Sequence, residues 1–155
     1  MENAQGLAFH DMDLFHQSPI QLHVFIERHD HRLFRIFASM QGVDLDTPCP
    51  RTGMTALMTA CIYRWEYAVS FLLNSRRVWV NRIDSMGRTA LHFAEHASIV
   101  RLLKNANADV NSRSYDGGTA LHKAAKIGNH PVTSQSLLKS IDQLISGFFC
   151  VDAKS

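Results

Sequence analysis

The sequence Gly87-Arg88-Thr89-Ala90-Leu91-His92 decides the fold, because close copies of it occur at two other places in the chain. The copies are Gly53-Met54-Thr55-Ala56-Leu57-Met58 and Gly117-Gly118-Thr119-Ala120-Leu121-His122. An asparagine stands eight residues before two of the three threonines, in Val80-Asn81 and Val110-Asn111. Offsets that are shared by several segments indicate an internal repeat with a period of a little over 30 residues.

This pattern resembles the ankyrin repeat, which is about 33 residues long and has the signature Thr-Pro-Leu-His-x-Ala. A weaker copy lies upstream, where Leu22-His23 takes the place of Leu91-His92. The resemblance implies an all-α ankyrin-repeat solenoid of about four helix-turn-helix repeats that are joined by hairpin loops. We place the domain at residues 18–155, after a leader at 1–17, with repeats at about 18–50, 51–84, 85–114 and 115–150.

Local sequence predicts how each repeat begins and where the pattern breaks. Thr89 and Thr119 stand where a side-chain oxygen can cap the first helix of a repeat. Arg76 stands where a glycine is expected after a second helix, so a left-handed C-cap there is strained. The segment at 95–99 is three residues too short for a complete first helix and turn. The third repeat is therefore predicted to be the least regular.

Composition limits the compartment and the partner. The chain has 155 residues, of which 46% are hydrophobic, and a net charge of +2. Residues 1–50 carry three basic and seven acidic side chains, whereas residues 51–155 carry thirteen and seven. The three cysteines form no Cys-x-x-Cys pair, which favours a reducing compartment. We therefore expect a cytosolic or nuclear protein without a signal peptide or a membrane span.

The sequence offers no catalytic motif and only weak metal ligands. It contains no Gly-x-Ser-x-Gly turn, no phosphate-binding Gly-x-x-x-x-Gly-Lys loop and no His-Glu-x-x-His helix. Two clusters, His10 to His16 and His29-Asp30-His31, contain histidine and aspartate, but neither has a spacing that is specific for a metal. We predict a protein that is not an enzyme, with no metal, no cofactor and no small-molecule substrate.

The resemblance also implies where a partner binds, because ankyrin proteins usually contact partners through hairpin tips and the inner face of the first helices. Transferred position by position, those sites are Arg51, Met54, Tyr63, Met86, Arg88, His96, Arg113, Tyr115 and Lys126. Such aromatic, methionine and arginine side chains are enriched at interfaces. Trp79 is a second candidate anchor unless it is packed under its loop. Asn111 occupies the position that asparaginyl hydroxylases modify in some ankyrin proteins.

These features predict a monomeric adaptor or inhibitor that binds a protein partner through its concave face and hairpin tips. Its architecture is similar to that of the four-repeat inhibitors of cyclin-dependent kinases and of short viral relatives of the inhibitor of NF-kappaB. The alternative is a binder of nucleic acid or another anionic surface that uses the basic carboxyl-terminal two-thirds. Against the alternative, the basic residues are dispersed and no nucleic-acid-binding motif is present.

Overall fold

A helix begins inside each copy of the repeated hexapeptide. The computed structural model describes the backbone of residues 20–127 and the side chains of residues 20–125. The α-helices are α1 Ile20–Glu27, α2 His31–Ser39, α3 Ala56–Ile62, α4 Glu66–Asn74, α5 Ala97–Asn105 and α6 Ala120–Ile127. A 3-10 helix, Ala90–Phe93, lies between α4 and α5. The described part contains no strand beyond an isolated bridge between Arg113 and Thr119, which confirms the predicted all-α repeat solenoid.

In the second, third and fourth repeats, the signature threonine and the residue three positions later close the first turn together. In the second repeat the Thr55 hydroxyl accepts a hydrogen bond from the Met58 N–H, at 3.3 Å. In the fourth repeat Thr119 accepts one from the His122 N–H at 3.4 Å, as predicted. In the third repeat Thr89 forms a capping box with His92, and its hydroxyl lies 3.0 Å from the His92 ring. Thr119 and His122 make the same side-chain contact in the fourth repeat, at 2.7 Å.

His92 joins two repeats through its two ring nitrogens. Its Nδ1 accepts a hydrogen bond from the Thr89 N–H at 3.1 Å, which completes a capping box. That bond leaves the proton on Nε2, which lies 3.2 Å from the Gly118 carbonyl oxygen of the next repeat. The prediction that this histidine bonds neighbouring loop backbone is confirmed.

The third repeat is the least regular, as its shortened sequence predicts. Its first helix is only the 3-10 turn Ala90–Phe93, all of which is buried. A 3-10 turn rises about 2.0 Å per residue, so fewer residues can span the height of the layer. The layer between repeats is filled by leucines: Leu72, Leu91 and Leu103 are each no more than 5% exposed.

Departures from the repeat pattern in the second repeat have local structural reasons. Arg64 and Arg76 end helices in the left-handed region, with φ of 56° and 53°, where glycine is favoured. The strain predicted at Arg76 is thus present. Trp65, which follows Arg64, is 5% exposed and packs against Phe34, with ring centroids 5.1 Å apart.

Side-chain hydrogen bonds link the loop of one repeat to the loop of the next. The Asn81 side chain accepts from the Asp109 N–H at 2.8 Å and donates to the Asn107 carbonyl at 3.2 Å. One repeat earlier, the Asp46 carboxylate accepts a hydrogen bond from the Trp79 N–H at 3.2 Å and forms an ion pair with Arg82 at 2.7 Å. Each link fixes the distance between neighbouring repeats.

Two sequence features fall outside the described residues, namely the leader at 1–17 with His10 and His16, and the second helix of the fourth repeat. Within residues 20–127, every helix is too short or too polar to cross a membrane.

Candidate interaction surface

The hairpin tip of the third repeat is held by one buried carboxylate. The Asp84 side chain is fully buried and accepts hydrogen bonds from the backbone N–H groups of Met86 and Arg88, at 2.9 and 2.8 Å. It also accepts from the Arg88 Nε at 2.8 Å and forms an ion pair with the same guanidinium at 2.7 Å. Burial raises the pKa of Asp84, but the hydrogen bonds from Arg88 and Met86 outweigh burial and lower that pKa overall.

Adjacent hairpins are in direct contact. The Tyr115 N–H donates to the Met86 carbonyl at 3.0 Å. The Tyr115 ring lies so close to Gly87 that a Cβ there would be 2.6 Å from the ring. Gly87 also has a φ of 75°, so both its close approach and its conformation require glycine. The third and fourth hairpins therefore form one rigid edge.

A groove of about 700 Å³ lies between these two hairpins and the helices behind them. Its outer edge carries Met86 and Tyr115, which are 57% and 74% exposed. Deeper in the groove, the Arg88 guanidinium and the Lys123 ammonium lie 4.7 and 4.3 Å from the centroid of the Phe93 ring. The groove thus combines an apolar edge with cations over an aromatic ring.

Lys123 differs electrostatically from Arg88. Burial lowers the pKa of Lys123, and the nearby positive charge of Arg88 lowers it further, while Glu95, Asp84 and Asp116 raise it by smaller amounts. Three ion pairs occur among the described residues, and Lys123 is in none of them. Arg88, in contrast, is paired with Asp84. The predicted anchor Arg88 is therefore also a structural part of its own hairpin.

The predicted partner-binding residues fall into two grooves and several isolated positions. Met86, Arg88 and Tyr115 line the groove described above. Arg51, Met54 and Tyr63 line a second groove of about 410 Å³, between α1 and the hairpin of the second repeat. In that second groove, the His23 Nδ1 lies 2.7 Å from the Thr59 hydroxyl, and burial lowers the pKa of His23.

The remaining predicted positions line neither groove. Arg113 is exposed and donates to the carbonyl of Gly117 in its own hairpin, at 3.2 Å. His96 is exposed at the beginning of α5. The side chain of Lys126 lies outside the described residues. Lys123 is not among the predicted partner-binding residues. The sequence feature that marks it is its position directly after the signature histidine, which Phe93 occupies in the third repeat.

The second histidine cluster packs against aromatic rings. His29 and His31 lie 5.3 and 4.7 Å from the ring of Trp65, measured between centroids. Among residues 20–127 no three His, Cys, Asp or Glu side chains converge on a common point. Trp79, the other tryptophan, is 76% exposed, so it is not packed under its loop.

The two asparagines of the repeat differ in what their amides do. Asn81 is engaged at both ends of its amide by the following loop. Asn111 is exposed, and its own backbone N–H donates to the Asp109 carboxylate at 2.9 Å.

Comparisons with known proteins agree with this architecture. A family model described as ankyrin repeats in three copies matches residues 22–114, which is more than half of the chain. The Drosophila melanogaster tyrosine-protein kinase Shark is 41% identical over 90 residues, 56% of this chain and 10% of that protein. Human neurogenic locus notch homolog protein 1 is 37% identical over 91 residues, 56% of this chain and 4% of that protein.

A third relative is the inactive serine/threonine-protein kinase TEX14 of Bos taurus, which is 28% identical over 107 residues, 63% of this chain and 7% of that protein. This chain therefore spans a tenth or less of the length of these relatives. The shared segments are repeat regions, so the likeness to two proteins named as kinases extends to their repeats alone.

Proposed function

The chain belongs to the ankyrin-repeat family, and we propose that it is a small adaptor or inhibitor that acts by stoichiometric binding of a protein partner. Ankyrin repeats are in general protein–protein interaction modules and are typically non-catalytic. We further propose that the protein is a monomer and works in the cytosol or nucleus, where its cysteines stay reduced.

One observation carries the proposal. Met86 and Tyr115 are large, strongly exposed side chains on hairpins that hydrogen bonds hold in place. Binding to such a preorganised edge orders few groups, so more of the contact free energy appears as affinity. Methionine and tyrosine are also typical of energetically important interface positions. We propose that this edge is the centre of the partner-binding surface.

The anionic-surface alternative is weakened by the way the arginines are used. Arg64, Arg82 and Arg88 form ion pairs with Glu95, Asp46 and Asp84. Arg77 donates to the Val43 carbonyl. Side chains that are engaged within the protein contribute less to a phosphate-binding surface, and such a surface would give steep salt dependence.

The proposal is tested by comparing three purified proteins: the parent, the double variant Met86→Ala/Tyr115→Ala, and Trp79→Ala. Trp79 is a matched control because it is a large aromatic residue with nearly the same exposure as Tyr115, 76% against 74%, and lies outside the groove. Each protein is used to capture partners from lysate, and the captured protein is then purified and titrated.

We expect the double variant to bind the captured partner at least about tenfold more weakly, as for a central interface anchor, with little change in melting temperature. Trp79→Ala should bind like the parent. Equal affinity of the parent and the double variant would refute the proposed surface. Loss in Trp79→Ala alone would place the binding site at that loop instead.

Asn111 is proposed as a modification site that depends on a host asparaginyl hydroxylase. Its exposed position supports access for an enzyme. Intact-mass analysis of the protein made in animal cells should show one added oxygen, which peptide sequencing should assign to Asn111. An unmodified mass would contradict this proposal.

A further inference from the structure

The groove between the third and fourth hairpins contains a positive charge that the described part of the protein does not pair. The Lys123 ammonium lies 4.3 Å from the centroid of the Phe93 ring and is in none of the three ion pairs. Of the carboxylates whose charge acts on Lys123, Glu95 is paired with Arg64, and Asp84 is bound by Arg88 and by two backbone N–H groups. A half-buried ammonium of this kind gains more from an incoming carboxylate than a fully hydrated one does.

This charge is specific to the fourth repeat. The positions equivalent to Lys123 are Thr59 in the second repeat and Phe93 in the third. The Thr59 hydroxyl is hydrogen-bonded to His23, and the Phe93 ring lies beneath Arg88 and Lys123. The first helices therefore differ at this position, and the fourth alone presents a cation there.

Apolar surface lies beside the cation. Met86 and Tyr115 are exposed at the outer edge of the groove, which has a volume of about 700 Å³. That volume is within the range of pockets that enclose most of a small ligand, so several side chains of a peptide can enter it. A segment that binds here meets an apolar edge and, in Lys123, a cation that forms no ion pair with the described residues.

Building on the proposed function, we propose that the groove binds an acidic segment of the protein partner, in which a carboxylate reaches Lys123 while a neighbouring apolar side chain packs against Met86 and Tyr115. The carboxylate and the ammonium are complementary in charge, and pairing restores to Lys123 part of the solvation that burial removes.

A polyanion such as a nucleic acid fits the groove less well. Its affinity depends on several phosphate contacts to separate cations. In this groove Arg88 is committed to Asp84, and Asp116, which also lines the groove, adds a negative charge. One carboxylate matches this charge distribution, whereas a run of phosphates does not.

The probe is a phage-displayed library of random dodecapeptides, selected on the parent protein. We expect the enriched peptides to contain Asp or Glu next to an apolar residue. The best peptide and its Glu→Gln or Asp→Asn counterpart are then synthesised, and their affinities are measured for the parent, for Lys123→Gln and for Lys104→Gln. Lys104 is the matched control, because it is a partly exposed lysine on α5 that does not line the groove.

The parent should prefer the carboxylate peptide at least about fivefold, Lys123→Gln should lose that preference, and Lys104→Gln should keep it. Failure to enrich acidic peptides, or an unchanged preference in Lys123→Gln, overturns this inference. If Met86→Ala/Tyr115→Ala still weakens partner binding in that case, the proposed surface survives and only its acidic chemistry is rejected. If that double variant binds the partner like the parent, both the proposed surface and its acidic chemistry are rejected.

Discussion

The Asp84 carboxylate is expected to contribute a large share of the stability of the third hairpin. Asp84→Ala removes the acceptor of two backbone N–H groups and the ion-pair partner of Arg88. Each lost backbone hydrogen bond is worth about 1 kcal/mol, and loss of the ion pair adds about 1 kcal/mol more, because the partly exposed Arg88 guanidinium can be rehydrated. We therefore expect a loss of about 3 kcal/mol in the free energy of unfolding, or about 10 °C in melting temperature.

Two further variants identify the physical cause. Asp84→Asn keeps one carbonyl oxygen for the backbone but loses the negative charge, so it should lose about 1–2 kcal/mol. Asp109→Ala is the control, because Asp109 also accepts from a backbone N–H but is exposed. That variant should lose less than about 1 kcal/mol. Urea unfolding followed by circular dichroism at 222 nm measures all three.

The pH dependence of stability tests the electrostatic part of the contribution of Asp84. The pKa of Asp84 is lower in the folded protein than its ordinary value of 3.8. Its charge therefore stabilises the fold fully above that ordinary value, and the stabilisation is lost as the pH falls through the folded pKa. The difference in stability between the parent and Asp84→Asn should be constant above about pH 5 and shrink as the pH falls below about 4. A difference that stays constant below about pH 4 as well, or an Asp84→Ala variant no less stable than Asp109→Ala, would refute this reasoning.

Three other outcomes follow from burial and backbone conformation. Leu103→Ala opens a cavity at a fully buried position and should lower the free energy of unfolding by roughly 2–5 kcal/mol in a thermal or urea melt. The loss should be clearly larger than that of Leu102→Ala, whose side chain is only partly buried. Equal losses would place the core elsewhere. Burial raises the pKa of Cys61, whereas hydrogen bonds from Thr52 and Arg51 outweigh burial and lower the pKa of Cys49. Mass spectrometry after thiol labelling should therefore find Cys49 modified before Cys61, and Cys61 modified only on unfolding. Arg76→Gly should raise the free energy of unfolding by up to about 1 kcal/mol, because φ is 53° there, and a destabilised variant would contradict the assigned strain.

Local sequence determined where the repeats begin and where they are irregular. The Thr-x-x-His spacing places a side chain within reach of an N–H three residues away, so the capping of the fourth repeat could be predicted without tertiary contacts. The shortening at residues 95–99 likewise predicted that the third repeat is the least regular, and its first helix is a 3-10 turn. The backbone of Arg76 is in the left-handed conformation because the helix must end at that position whatever residue occupies it.

The chemistry of the interaction surface depends on partners that are distant in the sequence. Trp65 lies between Arg64 and Glu66, whereas Trp79 lies between Val78 and Val80. The tryptophan with charged neighbours is nevertheless 5% exposed and the one with apolar neighbours 76% exposed, because Trp65 packs against Phe34 of α2. Arg88 and Lys123 are two cations near one ring, yet among residues 20–125 only Arg88 forms an ion pair. Side-chain identity fixes what a residue can bind, but stacking of the repeats decides which charges are already paired and which remain for a partner.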